Sequence, residues 1–166
     1  MKQDPARWAS TMFDLYALDH AFPAFCQAAQ LTDPYAKVEL LERAFKEDIV
    51  DDNHWRFVPH IQLHEYETIL YSDLDRLREW YSPQYGEEID ELRGSVAAFR
   101  SPEEIDDDPQ TAPSRRIIQA APRYEQEKKV VGPAVAQRIG LGSIREKCQH
   151  FSEWVRRLEE ELHTAP

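Results

Sequence analysis

The sequence has little of what marks exported or membrane-spanning proteins. Its 166 residues include two cysteines, Cys26 and Cys148, which lie far apart and match no metal-binding or redox spacing. The segment KQDPARW after Met1 lacks the apolar core of a signal sequence. Nowhere does the chain contain a run of about 18 apolar residues, the length that crosses a membrane. We therefore expect a cytoplasmic protein with reduced, buried cysteines and no membrane contact.

Familiar catalytic motifs are missing as well. The chain has no nucleophile elbow, no Walker loop and no cluster of cysteine and histidine. Gly140 and Gly142 do not form a dinucleotide fingerprint, because Arg145 stands where the third glycine should be. The same Gly-x-Gly resembles a helix-hairpin-helix turn whose backbone N–H groups bind a phosphate, although a plain connection between helices also explains both glycines.

Net positive charge is absent, since the formal net charge is -11 at pH 7. This value argues against a surface generally adapted to nucleic acid. One basic block nevertheless lies between Ser114 and Lys147, where eight basic and three acidic residues give a net charge of +5. A solvated helical face with acidic neighbours is the other explanation of this block. The candidates for phosphate or nucleic-acid contact are Arg115, Arg116, Lys129 and Arg138.

The pattern of apolar residues predicts two strands separated by a helix. Residues 57–63, reading FVPHIQL, have strand character, and from Tyr66 to Tyr81 the apolar residues recur at helical spacing. Residues 8–13 predict an earlier strand that ends at Asp14. Between the two strands, Thr32-Asp33-Pro34 starts a helix that reaches Ile49. A strand, a crossover helix and a second strand predict parallel pairing.

The remainder is predicted to be largely helical. The expected helices are a short one near Phe25–Ala29, Glu87–Phe99, Ser114–Ala121, a helix opened by Gly132-Pro133, and a long amphipathic helix from Ser143 to the C-terminus. We expect one α/β domain with a small, mostly parallel sheet flanked by helices and a helix-rich C-terminal half. Its parts are a sheet-containing region over 1–100, an acidic, proline-rich loop over 101–113 and a helical region over 114–166.

Asp14, His64 and Glu65 are the residues most suited to chemistry. Each follows a predicted strand, and the carboxyl ends of parallel strands meet at one edge of a sheet. Two carboxylates with a histidine suit Mg²⁺ or Mn²⁺, which would hold phosphate oxygens and activate water. Alternatively, Glu65 and Glu67 are acidic residues favoured in the first turn of a helix.

A zinc pair formed by His60 and His64 on a helix is a further alternative. Pro59 and the strand-like flank disfavour a helix at this position, and with it this pair.

Four segments, taken in order, resemble a bacterial family catalogued as domain of unknown function 4276. They are STMFDLYAL, IQLHEYETILYSD, SPEEIDDDPQTAPSRRI and RYEQEKKVVGPAVAQRIGLGSIREKCQHFSEWVRRL, and they cover nearly the whole chain. The resemblance implies a Toprim-like α/β fold and metal-dependent nuclease activity. It also implies a gene neighbourhood in phage-defence loci, beside an ATPase of the ABC or overcoming-lysogeny type.

The resemblance assigns roles to particular residues. Asp14 corresponds to the aspartate that ends a Toprim strand, and His64, Glu65 and Glu67 correspond to the family's His-Glu-aromatic-Glu segment. It therefore implies a metal held by Asp14, Glu65 and Glu67. Family members usually begin with a strand that carries a Glu-Gly-x-Thr-Glu motif, and this sequence starts after it. A sheet without that strand has an unpaired edge, so we expect a second copy, a partner or the N-terminus to cover it.

Two functional hypotheses follow. In the first, the chain is a magnesium-dependent, nucleic-acid-acting component of a bacterial defence system, with Asp14 and Glu65 on the metal and His64 positioning water or phosphate. In the second, it is a non-catalytic interaction subunit that docks onto a partner ATPase through its C-terminal helix. Retention of Asp14, His64 and Glu65 favours the first hypothesis, and the missing N-terminal motif favours the second.

Overall fold

In a computed structural model, which describes residues 8–49, 56–105, 108 and 110–164, the chain divides into two compact units. The first unit consists of residues 1–63 and 150–166, and the second of residues 64–149. The first unit contains the strands, whereas the second is built from helices. The predicted α/β class, with a small parallel sheet flanked by helices, is confirmed.

The strands pair in parallel, as the crossover predicts, but each predicted strand is divided in two. The pairs are β1 (Ala9–Ser10) with β3 (Phe57–Val58), and β2 (Phe13–Asp14) with β4 (Ile61–Gln62). Pro59 explains the interruption, because it has no backbone N–H to donate to a ladder. Beside it, the N–H of His60 donates instead to the hydroxyl of Thr11, at 3.3 Å. The ladder resumes where the N–H of Phe13 donates to the carbonyl of His60, at 3.1 Å.

Two helices cover the sheet of the first unit. They are α1 (Phe25–Ala28) and α2 (Pro34–Asp48), both near their predicted positions. The carboxylate of Asp33 caps α2 by accepting the N–H of Tyr35 at 3.0 Å. The apolar face of α2 then packs on β4, so that Val38, Leu41 and Ile61 are almost completely buried in one core cluster.

The second unit contains most of the remaining helices. Its members are a 3₁₀ helix over Tyr66–Ser72, α3 (Leu74–Tyr81), α4 (Gly86–Val96), a 3₁₀ turn over Pro102–Glu104, α5 (Pro113–Ala120), α6 (Tyr124–Ile139) and α7 (Leu141–Lys147). The last helix, α8 (Gln149–Thr164), has its first residue in the second unit, and the residues after it belong to the first unit. Within the predicted loop 101–113, residues 106, 107 and 109 lie outside the described residues.

Two predicted helices are interrupted in the structure. The expected helix from Tyr66 to Tyr81 is a 3₁₀ helix followed by α3, and Asp73 between them caps α3. The expected helix from Ser143 to the C-terminus is α7 followed by α8. Cys148 has extended backbone between them, and its buried sulfur lies 3.4 Å from the hydroxyl of Ser72. The first interruption thus coincides with a local cap and the second with a tertiary contact of Cys148.

The predicted helix start at Gly132-Pro133 is wrong. Helix α6 begins at Tyr124 and continues through Pro133 to Ile139. The glycine before the proline has a packing role, since a Cβ at Gly132 would lie 3.1 Å from the ring of Tyr66 and 3.2 Å from the hydroxyl of Tyr124. It also lacks the Cβ with which a following proline ring clashes. Among the described residues, no helix has both the length and the apolar character needed to cross a membrane.

Candidate metal centre

Three side chains that can bind a metal ion converge in the first unit. Glu42 lies on α2, His60 lies between β3 and β4, and His150 lies in the first turn of α8. Each offers one ligand atom, and these atoms all lie within 4.8 Å of one another. Glu42 and His60 are buried, and His150 is largely so. The packing of a helix, a strand connection and a second helix therefore creates a donor cluster.

The carboxylate of Glu42 is the centre of this cluster. Its Oε1 accepts the backbone N–H of Ile61 at 2.8 Å, which ties α2 to β4. The same oxygen lies 2.9 Å from Nε2 of His150 and 3.7 Å from Nδ1 of His60. Glu42 lies in the carboxyl-terminal half of α2, four residues after Val38. The helical period therefore puts both side chains on the same buried face.

His60 is completely buried, and its two ring nitrogens have different surroundings. Nε2 lies 3.3 Å from Oε1 of Gln62, whereas Nδ1 is buried without a hydrogen-bond partner. The ring stacks on those of His150 and Trp154, with centroid distances of 4.8 Å and 4.5 Å. Burial, reinforced by the nearby His150, lowers the pKa of His60 to about 3. The imidazole is therefore neutral at pH 7, as a metal ligand must be.

Two of the three distances between ligand atoms lie near those around a tetrahedral ion. Two ligand atoms at about 2.0–2.2 Å from a tetrahedral zinc ion lie about 3.3–3.6 Å apart. The distances from Oε1 of Glu42 to the two imidazole nitrogens are 2.9 Å and 3.7 Å, close to this range on either side. The third pair of ligand atoms, on His60 and His150, lies within 4.8 Å.

A cleft of about 490 Å³ reaches the cluster from solvent. Glu42 and His150 line it, together with Trp154 and the cationic side chains of Arg43 and Lys46. The remaining lining residues are Glu39, Val58, Pro59, Glu153, Arg157 and Glu161. The guanidinium of Arg157 donates to Glu153 at 3.2 Å. The cleft therefore gives access to Glu42 and His150, whereas His60 is fully buried and is not one of its lining residues.

The predicted site of Asp14, His64 and Glu65 is distributed over both units. Asp14 ends β2 in the first unit, whereas His64 and Glu65 begin the second. His64 has left-handed backbone, with φ of 64°, and its Nε2 donates to the carbonyl of Glu103 at 3.1 Å. Metal binding by Asp14 and Glu65, with His64 positioning water or phosphate, stays a prediction.

Glu65 and Glu67 each bind a group within the second unit. A carboxylate oxygen of Glu65 accepts the N–H of Ser114 at 2.8 Å, in the first turn of α5. The carboxylate of Glu67 accepts the hydroxyl of Tyr124 at 3.2 Å. Burial, followed by the nearby charge of Glu65, raises the pKa of Glu67, while its hydrogen bonds and Lys128 act in the opposite direction. Glu65 and Glu67 also lie at the N-cap and in the first turn of the 3₁₀ helix over Tyr66–Ser72, where the alternative interpretation expects acidic residues.

Comparison with known proteins identifies a family. A sequence model described as Domain of unknown function (DUF4276) matches residues 1–159. The chain belongs to the DUF4276 family. This match confirms the family that four segments of the sequence resemble. Searches among curated proteins and among solved structures found no match.

The basic candidates of this DUF4276 protein lie on α5 and α6. Arg115, Lys129 and Arg138 are exposed. The Nε of Arg116 donates to the carbonyl of Thr111 at 2.6 Å, and the guanidinium of Arg138 lies 4.7 Å from the centre of the Trp80 ring. Contact of these residues with phosphate or nucleic acid stays a prediction.

Sequence reasoning missed Glu42 and His150. One local signal pointed to Glu42, because a charged residue follows Leu41 on the helix face that carries Val38 and Phe45. His150 lies beside Phe151 on the apolar face of the last helix. Nothing in the sequence joins the two residues, which are 108 positions apart.

Proposed function

We propose that this DUF4276 protein is a metal-dependent hydrolase of phosphate esters whose metal ion is bound by Glu42, His60 and His150. The observation that carries the proposal is the convergence of three donor side chains on one buried point beside a cleft. The Nδ1 of His60 also supports the proposal. This atom is buried without a hydrogen-bond partner, and such polar atoms are rare in proteins.

The donor set favours an ion of the zinc class over the Mg²⁺ or Mn²⁺ expected from the sequence. Imidazole suits Zn²⁺, Co²⁺ and Ni²⁺, whereas Mg²⁺ prefers an all-oxygen shell. Two histidines and one glutamate are a ligand set of catalytic zinc sites, which leave a further position open. A bound ion supplies a Lewis acid that polarises a phosphoryl oxygen and lowers the pKa of water.

The cleft carries charges of both signs, with Glu39 and Glu161 beside the cations, so an anionic substrate would rely on the local contacts of two cations and on the ion. Arg43 and Lys46 lie on its wall, and a divalent ion at the cluster adds positive charge to the same space. Arg157 contributes less, since it already pairs with Glu153. Within phosphate esters, nucleic acid is the class that the family resemblance implies. The basic residues on α5 and α6 provide a second, independent candidate surface for it.

Two alternatives from the sequence remain as separate proposals. One is a magnesium site that uses Asp14, Glu65 and Glu67. The other is a non-catalytic subunit that binds a partner ATPase or a second copy. A single titration series separates them, since each assigns metal binding to different residues or to none.

The experiment uses tag-free protein freed of metal with a chelator. Zn²⁺, Co²⁺, Mg²⁺ and Mn²⁺ are titrated into the wild type, Glu42→Gln, His150→Asn and the double variant Asp14→Ala with Glu65→Ala, by isothermal calorimetry. Glu47→Gln, an exposed change on the same helix, is the matched control. We expect Zn²⁺ binding that Glu42→Gln and His150→Asn weaken strongly, while the control and the double variant retain it.

The protein that binds metal is then assayed on single-stranded and duplex DNA and RNA. Cleavage that requires Zn²⁺ or Co²⁺ and is lost in Glu42→Gln supports the proposal. Zn²⁺ binding that survives in both cluster variants would sink it. Mg²⁺ binding lost only in the double variant would instead support the Asp14 and Glu65 site. Specific metal binding without cleavage would overturn the hydrolase and favour a structural ion in an interaction subunit.

A further inference from the structure

Gln62 is buried beside the donor cluster without reaching it. It lies on β4, is fully buried, and its side chain contacts two partners. Its Oε1 lies 3.3 Å from Nε2 of His60, and its Nε2 donates to the carbonyl of Leu63 at 3.5 Å. A buried amide beside a histidine controls which ring nitrogen of that histidine carries the proton.

The contact with Leu63 determines the orientation of the amide. A flipped amide would place Oε1 of Gln62 against the carbonyl oxygen of Leu63, and two acceptors would then face each other. With the amide as it stands, Oε1 accepts, so the Nε2 of His60 must donate. The remaining nitrogen, Nδ1, then carries a lone pair and no proton.

Nδ1 of His60 lies near another acceptor. Nδ1 of His60 lies 3.7 Å from Oε1 of Glu42, which already accepts the N–H of Ile61 at 2.8 Å. Two electron-rich atoms at this separation repel each other in a buried site. A cation between them replaces this repulsion with two ligand bonds.

We infer that Gln62 is a positioning residue that holds His60 as its Nε2–H tautomer, so that Nδ1 is the metal ligand of the cluster. The inference rests on the proposed metal centre for its functional consequence, while the tautomer is a property of the metal-free protein. In metal sites of known chemistry, a ligand histidine regularly donates its other N–H to an oxygen acceptor. Gln62 supplies that acceptor here.

The first arm of the test measures the tautomer without metal. Full-length protein labelled with ¹⁵N in histidine is examined at pH 7.5 by long-range ¹H–¹⁵N correlation, and the signals of His60 are assigned by their loss in His60→Asn. A bare ring nitrogen resonates far downfield of a protonated one, and the coupling pattern to the ring protons distinguishes Nδ1 from Nε2. We expect a bare Nδ1 in the wild type. A protonated Nδ1 would overturn the inference.

The second arm compares three variants. Gln62→Leu removes the acceptor, Gln62→Glu retains an oxygen at the same position, and Gln119→Leu makes the same change at an exposed site on α5. We expect Gln62→Leu to populate the other tautomer and to weaken Zn²⁺ binding about 10–100-fold. Gln62→Glu, whose buried carboxyl in its protonated form keeps an acceptor for His60 and a donor for Leu63, should keep the Nε2–H tautomer and bind within a few-fold of the wild type. Gln119→Leu should match the wild type in both readouts.

The two arms distinguish failure of this inference from failure of the proposed function. A wild type with bare Nδ1 that binds no Zn²⁺ would sink the metal centre and confirm the tautomer. Zn²⁺ binding and a His60 spectrum that are both unchanged in Gln62→Leu would overturn the role of Gln62 and leave the metal centre standing. If Gln62→Leu proves unfolded by circular dichroism, the wild-type spectrum and Gln62→Glu still decide the tautomer.

Discussion

Each unit contains a histidine and a glutamate with hydrogen-bond partners, and the two pairs differ in how their donor atoms are arranged. In the first unit, Glu42 accepts a backbone N–H and still faces two imidazoles, one with a bare nitrogen. In the second unit, Glu65 caps the first turn of α5, and the imidazole of His64 donates to a carbonyl. A His-Glu pair in sequence is thus weaker grounds for a metal site than donors that converge on one point.

The largest expected effect tests the two glutamates directly. Glu42→Gln keeps the shape of the side chain but removes the anionic ligand. We expect the Zn²⁺ affinity of this variant to fall by about 100-fold or more, because residues that only hydrogen-bond to a metal ligand already cost about 10–100-fold when mutated. Glu65→Gln should leave the affinity unchanged. Calorimetry on the two variants in parallel checks this prediction, and equal losses of Zn²⁺ affinity would contradict it.

The next effect concerns two backbone amides that donate to carboxylates. The N–H of Ile61 donates to Glu42 and that of Ser114 donates to Glu65, both at 2.8 Å. Zn²⁺ at about 100 times its Kd stabilises the protein that binds it by about 2.7 kcal/mol. We expect hydrogen exchange to show stronger added protection at Ile61 than at Ser114, because the ion binds the first of these carboxylates. The same increase at both amides would contradict this expectation.

A smaller effect tests the capping role of Glu65. Glu65→Ala removes the acceptor for Ser114, and we expect the free energy of unfolding to fall by about 1–2 kcal/mol, since the bond involves a charged acceptor. Urea denaturation measures this change. Glu125→Ala, an exposed change in the first turn of α6, is the control and should cost less. An unchanged free energy of unfolding in Glu65→Ala would show that the cap contributes nothing to stability.

The smallest effect contrasts the two cysteines. Cys26 of the first unit is exposed, so the expectation of two buried cysteines is wrong for it, whereas burial raises the pKa of Cys148 in the second unit to about 12. A raised pKa stabilises the fold below the unfolded pKa near 9, and this contribution is lost as pH rises towards 12. Between pH 8 and 10, Cys148 should therefore account for about 1 kcal/mol of lost stability.

This loss is measured as a difference between variants. Cys148→Ala should reduce the decline of stability between pH 8 and 10, and Cys26→Ala should not. In the native wild type at pH 8, a thiol reagent should modify Cys26 rapidly and Cys148 only after unfolding. Fast modification of both thiols would contradict the buried state of Cys148.

Much of the fold could be predicted because it depends on local patterns. The cap at Asp33 and the proline after it predicted the start of α2, and the strand pattern of residues 57–63 predicted β3 and β4. Errors arose where a tertiary contact overrode the pattern. Gly132 and Pro133 read as a helix start but lie inside α6, where two tyrosine side chains leave no room for a Cβ.

The sequence by itself determined the family, the α/β class and the parallel pairing of the strands. Membership of DUF4276 follows from residue identities along nearly the whole chain, and the pairing follows from a helix between two strands. Only the tertiary structure decided which side chains meet at the candidate metal centre. Glu42 and His150 come together because α2 and α8 pack against the same strand connection, and residues 108 positions apart share no periodicity that would reveal their contact.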